Sequence, residues 1–230
     1  MKKFLVSFAF VAICAVAQAQ IVGSRSSAYV VTETKTSPKG WNEFNIQYNP
    51  TKLVPDNGDS FSMSGISLEW NKVRSLLSTS PLYLQYGFGI QYNWGSEDDT
   101  DYDGGYKEGY EYNIKMLGVK VPVNVLYHYD IPNSQFAIEP HAGLNFRIHA
   151  YGNAEAKSVS WNGSTKSHDY DVFSSDDMEE PWNRFQIGYN LGVNAVYEKL
   201  VFGITYTGDF SELGKDLNMS VWNIKFGVRF

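Results

Sequence analysis

Cysteine is nearly absent from this 230-residue chain: the single one is Cys14. Outside the N-terminus no apolar run reaches the ~18 residues that a membrane-spanning helix needs. No segment shows the helical period, and there is no internal repeat. Basic residues are the minority charge, 19 Lys+Arg against 25 Asp+Glu, with a pI near 5.2. That balance excludes nucleic acid as the main partner, because nothing neutralises a phosphate backbone. Mean hydropathy is only −0.32. One class survives all these absences. A transmembrane β-barrel dilutes its apolar residues by alternation and looks soluble to a hydropathy window. Aromatic residues are plentiful, at 16% of the chain. Such density excludes a disordered chain and calls for buried or membrane-facing surface.

The N-terminus predicts export. Lys2 and Lys3 precede an apolar stretch from Phe4 to Ala17, and Ala17-Gln18-Ala19 is an A-x-A cleavage site. Residues 1–19 therefore read as a signal peptide. The apolar run is too short, and wrongly flanked, for a retained anchor helix. Cys14 leaves with the peptide, so the mature chain has no thiol, disulfide or cysteine metal site. Ile13 before that cysteine is too bulky for a lipoprotein site.

What remains is organised by a period of two. At the C-terminus Trp222, Ile224, Phe226, Val228 and Phe230 share one parity, and Asn223, Lys225, Gly227 and Arg229 share the other. Side chains alternate faces along a strand, so this segment has one apolar and one polar face. The same reading gives strands at 43–49, 61–72, 82–94, 111–129, 135–149, 185–197 and 200–208, eight in all. Phe61 with Met63, and Ile114 with Met116, fall out of phase. Bulges near Gly65 and Met116 are the expected repair. Long polar connections at 50–60, 95–110, 151–184 and 209–218 alternate with short ones at 73–81, 130–134 and 198–199. Long loops at one end and short turns at the other are the outer-membrane pattern.

Large aromatics near the ends of the apolar face, among them Tyr86, Trp94, Tyr127, Tyr197 and Trp222, match a membrane-interface girdle. The opposite face is small or hydrogen-bonding. Eight strands leave an interior only wide enough for side chains, so the polar face is expected inside and the apolar face against lipid. The expected fold is thus all-β, an eight-stranded antiparallel up-and-down transmembrane β-barrel over 41–230, preceded by a periplasmic leader at 20–40.

The segments KVPVNVLYHYDI (120–131), FAIEPHAGLNF (136–146), QIGYNLGVNAVYEKLVFGITYTGDF (186–210) and NIKFGVRF (223–230) resemble the PorT-like outer-membrane β-barrel family, which shares the OmpA-like eight-stranded architecture. The resemblance covers about two thirds of the chain. It implies an outer-membrane location in a Gram-negative bacterium, contact with membrane lipid and lipopolysaccharide, and a monomer. Phe226, Val228 and Phe230 resemble the C-terminal signal read by the barrel-assembly machinery. The family includes secretion-associated and structural barrels, so the resemblance implies architecture more than activity.

Three groups of residues are candidates for function. Glu43, Glu69, Lys120, Glu139, Arg147, Lys225 and Arg229 have inward parity. They are expected to form a paired polar network filling a closed barrel rather than a selectivity ring, since polar groups out of water must be paired. The loops carry the acid surplus: 95–110 holds six acids and one base, and 151–184 seven acids and three bases. Within the first, Asp99, Asp101 and Asp103 followed by Gly104 match the start of a calcium loop, where alternate oxygens converge. Tyr110 stands where the bidentate Glu belongs, so any calcium binding is expected to be weak. No other cofactor is expected. His128, His141 and His149 have inward parity, and Ser167-His168-Asp169 are sequence neighbours, which is not how triads assemble. No enzyme is expected. The expected role is structural or surface-interacting through the acidic loops. A narrow transport or secretion-accessory barrel is the alternative, and a lipid-modifying enzyme a more distant one.

Overall fold

A computed structural model describes residues 39–77, 80–103, 106–160 and 164–230. The signal peptide and the leader through residue 38 lie outside them. Among the described residues there are eleven strands and no helix: β1 (Gly40–Tyr48), β2 (Thr51–Pro55), β3 (Phe61–Ser75), β4 (Leu82–Asp103), β5 (Tyr106–Tyr127), β6 (Tyr129–Asp130), β7 (Phe136–Val159), β8 (Thr165–Asp171), β9 (Phe185–Tyr197), β10 (Leu200–Asp209) and β11 (Leu217–Arg229).

All ladders are antiparallel, and the sheet closes on itself. β1 and β2 form one stave broken at Asn49–Pro50, since both pair with β3 on one side and β11 on the other. β6 continues β5 along β7, and β8 folds back on the outer end of β7. The ring therefore has eight staves in sequence order. At the seam Asn42 and Phe230 exchange both backbone hydrogen bonds, at 3.0 and 3.1 Å. Through the belt each stave is paired on both sides, as a lipid environment requires.

The faces fall as the alternation implies. Ile90 is 56% exposed outside, whereas Gln91 beside it is 5% exposed inside. On β4 the outward residues from Leu84 to Trp94 are all apolar or aromatic. Ten rises of ~3.3 Å, tilted by ~40°, make a belt about 25 Å tall, the height of an outer-membrane hydrocarbon band. Beyond the belt Ser96 follows on β4, and Lys115 of β5 pairs with Trp94.

Two expectations need correction. The register through Gly65 is unbroken: Met63 pairs with Thr51 in line with Ile66 and Tyr48, and it points inward. Met116 likewise stays in phase with Gly118 and Lys120. These apolar residues face the interior because they plug it, so no bulge is required of either strand. A register shift does fall at Leu117/Gly118, but the extra residue is Ala150 of β7, since Gly118 pairs with His149 and Leu117 with Tyr151. The bulge flips the upper part of β7, with His149 inward below it and Gly152 inward above.

The other correction concerns the loops. Most of 95–110 is ladder, with β4 and β5 paired out to Asp103↔Tyr106. In 151–184, β7 runs on to Val159 and pairs with β8. Above the membrane both faces of a strand meet water, so alternation fades although the hydrogen bonds continue.

Candidate functional site

The interior is a charge-paired plug. Glu43, Glu69, Glu139, Lys120, Arg147, Lys225 and Arg229 all point inward and are buried. Lys120 Nζ lies 3.1 Å from Glu69 Oε2 and donates to Gln47 Oε1 at 2.6 Å. Arg229 ion-pairs with Glu139, and its Nε lies 3.4 Å from Glu43 Oε2. Lys225 Nζ stands 3.6 Å from Glu43 Oε1. Arg147 finds its acid in Asp209, at 2.7 Å. Asp209 falls in the 209–218 connection of the sequence reading. Its parity with Gly203, Thr205 and Thr207 is the signal that places it inside. Four acids thus meet four bases, so the interior has no excess of one sign from which to build a selectivity ring. Amides knit the charges together: Asn223 Oδ1 accepts from Asn49 at 2.8 Å and from Lys120 at 3.4 Å.

The histidines belong to the same network. His128 Nδ1 sits 2.6 Å from Glu139, and His141 Nε2 2.9 Å from Thr205 Oγ1. His149 Nε2 is 2.9 Å from Gln186 Oε1, and its ring stacks on Phe173 at 5.7 Å. Ser167, His168 and Asp169 are consecutive on extended β8, so neighbours point to opposite faces. Ser167 Oγ donates to Glu155 at 2.7 Å, and His168 packs edge-on against Tyr170 at 4.5 Å. No nucleophile–base pair forms there.

Apolar layers close the polar interior at both ends. At the turn end Val73, Tyr83 and Leu126 pack with Trp41, while Ala137, Val196 and Val201 form a second patch. At the loop end Leu53, Met63, Met116, Leu213, Met219 and Val221 make a plug, capped by Phe173 and Trp182. Between the layers lies a void of about 30 Å³, room for little more than water.

Above the plug the mouth opens into an apolar cleft of about 400 Å³. Phe61, Tyr112, Tyr170 and Trp182 wall it, Ala154 and Ala156 line it, and Asp59 and Glu155 stand at its edge. The strap following β8 helps to build it. Trp182 N donates to Val172 O at 2.7 Å and Asn183 N to Leu213 O at 2.6 Å, which presses the strap onto the plug. Alternation gave little sign of this cleft: Phe61, Tyr112 and Ile114 lie in expected strands, but Leu53, Ala154, Ala156, Tyr170, Trp182 and Leu217 come from stretches read as loops. Glu155 accepts from Ser167 and lies 3.3 Å from Lys157, and these donors hold its carboxyl below the usual range.

Asp99, Asp101 and Asp103 stand on the β4–β5 hairpin, with backbones paired to Tyr110, Glu108 and Tyr106. Their side chains lie outside the described residues. Among the described residues no group of three or more His, Asp or Glu is arranged to hold a metal ion. Phe226, Val228 and Phe230 line the outer face of the last strand, exposed to the surroundings.

No family model matches the chain, and no curated protein matches it by sequence. Among solved structures it is similar to Ail, the attachment invasion locus protein of Yersinia pestis, at 14% identity and a TM-score of 0.45, over 84% of this chain and 100% of that one. It is also similar to Neisserial surface protein A, at 13% identity and a TM-score of 0.43, over 82% of this chain and 97% of that one. The N-terminal β-barrel domain of Pseudomonas aeruginosa OprF aligns at 13% identity and a TM-score of 0.26, over 83% of this chain and 99% of that one. The fold itself rests on the chain's own closed ladder: an all-β, eight-stranded antiparallel barrel with an apolar outer belt.

Proposed function

We propose that this is a monomeric outer-membrane protein of a Gram-negative bacterium that acts at the cell surface through its extended, acidic hairpins. One observation carries the reading. The barrel is sealed by apolar layers and filled by matched charges, while the β4–β5 and β7–β8 ladders rise past the lipid belt. A filled scaffold that displays long ladders fits interaction better than transport. The same inner seal speaks against the narrow transport or secretion-accessory alternative. Membership of the PorT-like family, lipopolysaccharide as lateral neighbour, and Phe226, Val228 and Phe230 as the assembly signal belong to this proposal. Weak calcium binding by Asp99, Asp101 and Asp103 belongs to it too. Saturable calorimetric heat at millimolar calcium, lost on Asp101→Asn with Asp103→Asn, is its test.

The reading as a whole is tested on cells. A cysteine at Ser96 or Ser167 should react with a membrane-impermeant maleimide on intact bacteria, and one at Ser134 should not. The purified barrel should migrate heat-modifiably and show no conductance steps in planar bilayers. Unlabelled hairpins, or steady conductance, would overturn it.

A further inference from the structure

We propose that the cleft at the barrel mouth seats an aromatic or aliphatic side chain carried on a basic peptide segment of a partner. This deepens the surface-interaction reading and rests on it. The cleft follows from the sequence of three adjacent strands. Ala154 of β7 lies between Ile114 of β5 and Tyr170 of β8, and Ala156 lies between Tyr112 and His168. Small residues on the central strand between large ones on its neighbours leave a trough. Phe61 and Trp182 enclose it from the other side, and its volume of about 400 Å³ suits two or three hydrophobic side chains.

Position and charge select the occupant. Leu53, Phe61, Ile114 and Leu217 share the inward parity of the plug residues Met63, Met116 and Met219, so the cleft lies over the plug and opens to water. An acyl chain of the bilayer reaches the opposite face. The surrounding segments are acidic: Asp56, Asp59, Asp169, Asp176, Asp177 and Glu179 form no ion pair among the described residues. Of the bases near them, Lys157 pairs with Glu155, Arg184 with Asp171 and Lys215 with Glu180, and Lys52, Lys115 and Lys166 still leave the six acids in surplus. An apolar seat ringed by uncompensated acids attracts Lys/Arg-flanked segments and repels acidic ones.

Fluorescence anisotropy on the barrel in zwitterionic nanodiscs tests this with labelled Lys-Lys-Trp-Trp-Lys-Lys. Saturable binding is expected, with about tenfold loss when both Trp are Ala, the scale of a lost anchor. Replacing the flanking Lys by Glu should abolish it. Ala156→Trp and, independently, Ala154→Leu fill the trough and should weaken binding about tenfold, while Ala156→Ser should not. Asp59→Lys with Glu155→Lys should weaken it and flatten its salt dependence. No saturable binding, equal binding of the Ala peptide, equal binding by both filled variants, or equal binding to protein-free discs overturns the proposal. Any of these leaves the surface reading intact if the hairpins label on cells. Unlabelled hairpins sink that reading whatever the peptides do.

Discussion

Lys120 and Glu69 sit on strands that are not neighbours, yet their charged groups meet at 3.1 Å across β4. Gly89 is the residue between them, paired with Glu69 on one side and Lys120 on the other. A Cβ there would stand 2.8 Å from Leu68 O and 3.2 Å from both side chains. The salt bridge therefore depends on a missing side chain. Lys120→Met or Glu69→Leu alone should cost about 3–5 kcal/mol, because each leaves a buried charge without its partner. The double variant should recover most of that loss. Urea unfolding from lipid vesicles, read as a double-mutant cycle, measures the coupling. Additive losses would show that the pair does not act as one unit.

The outer belt makes a second prediction. Leu191 lies at the middle of β9 and Val123 near the middle of the belt on β5, both facing outward. Leu191→Arg or Val123→Arg should cost about 2–4 kcal/mol in vesicle refolding, the charge of an Arg held near the bilayer midplane. Lys115→Arg, at the edge of the belt, should be neutral. Tolerance of Arg at position 191 would mean that this face meets water.

At the seam, backbone and side chain separate cleanly. Phe230→Ala keeps both backbone bonds to Asn42 and removes only an outward ring that is 66% exposed. Refolding of the purified protein should be nearly unchanged, while the assembled yield in cells should fall severalfold. Equal losses in both settings would make Phe230 a lipid anchor rather than part of an assembly signal.

The upper part of β7 makes a local prediction. Above the bulge at Ala150, Gly152 faces inward, and a Cβ there would meet Phe173 at 2.4 Å and Val172 at 2.7 Å. Gly152→Val should therefore lift the strap over 172–182 and make it sensitive to protease, while the barrel below still inserts and stays heat-modifiable. A strap as resistant as the parent's would show that Gly152 does not seat it.

The barrel was legible because lipid and a side-chain-filled interior impose opposite demands on alternate residues. Ile224 and Lys225 differ in chemistry as sharply as in burial. Parity turned seven charged residues inward, but Asp209 fell in a stretch read as loop, and no pairing could be read. Parity says that Lys120 faces inward, whereas register decides that it meets Glu69 across Gly89. Met63 and Met116 misled because an apolar residue inside a barrel breaks the alternation just as a bulge would. Above the membrane the rule itself disappears. Tyr110 and Tyr112 are both exposed on a strand with water on either side. The cleft was hidden for the same reason: Tyr170 and Trp182 come from a stretch read as loop, and only the pairing of β5, β7 and β8 brings Tyr112 and Tyr170 to one trough.

The seam has a consequence for the order of events during assembly. Glu43 is near the start of the first stave, and its cations Lys225 and Arg229 are on the last. While the sheet is still open, the carboxylate and the two cations have no mutual contact and keep their hydration. Sliding such a sheet into hydrocarbon would strand those ions, at several kcal/mol each. The chain is thereby discouraged from entering the bilayer half-built. The ion pairs that neutralise the lumen act as a checkpoint in time: they reward insertion at the moment the last strand finds the first.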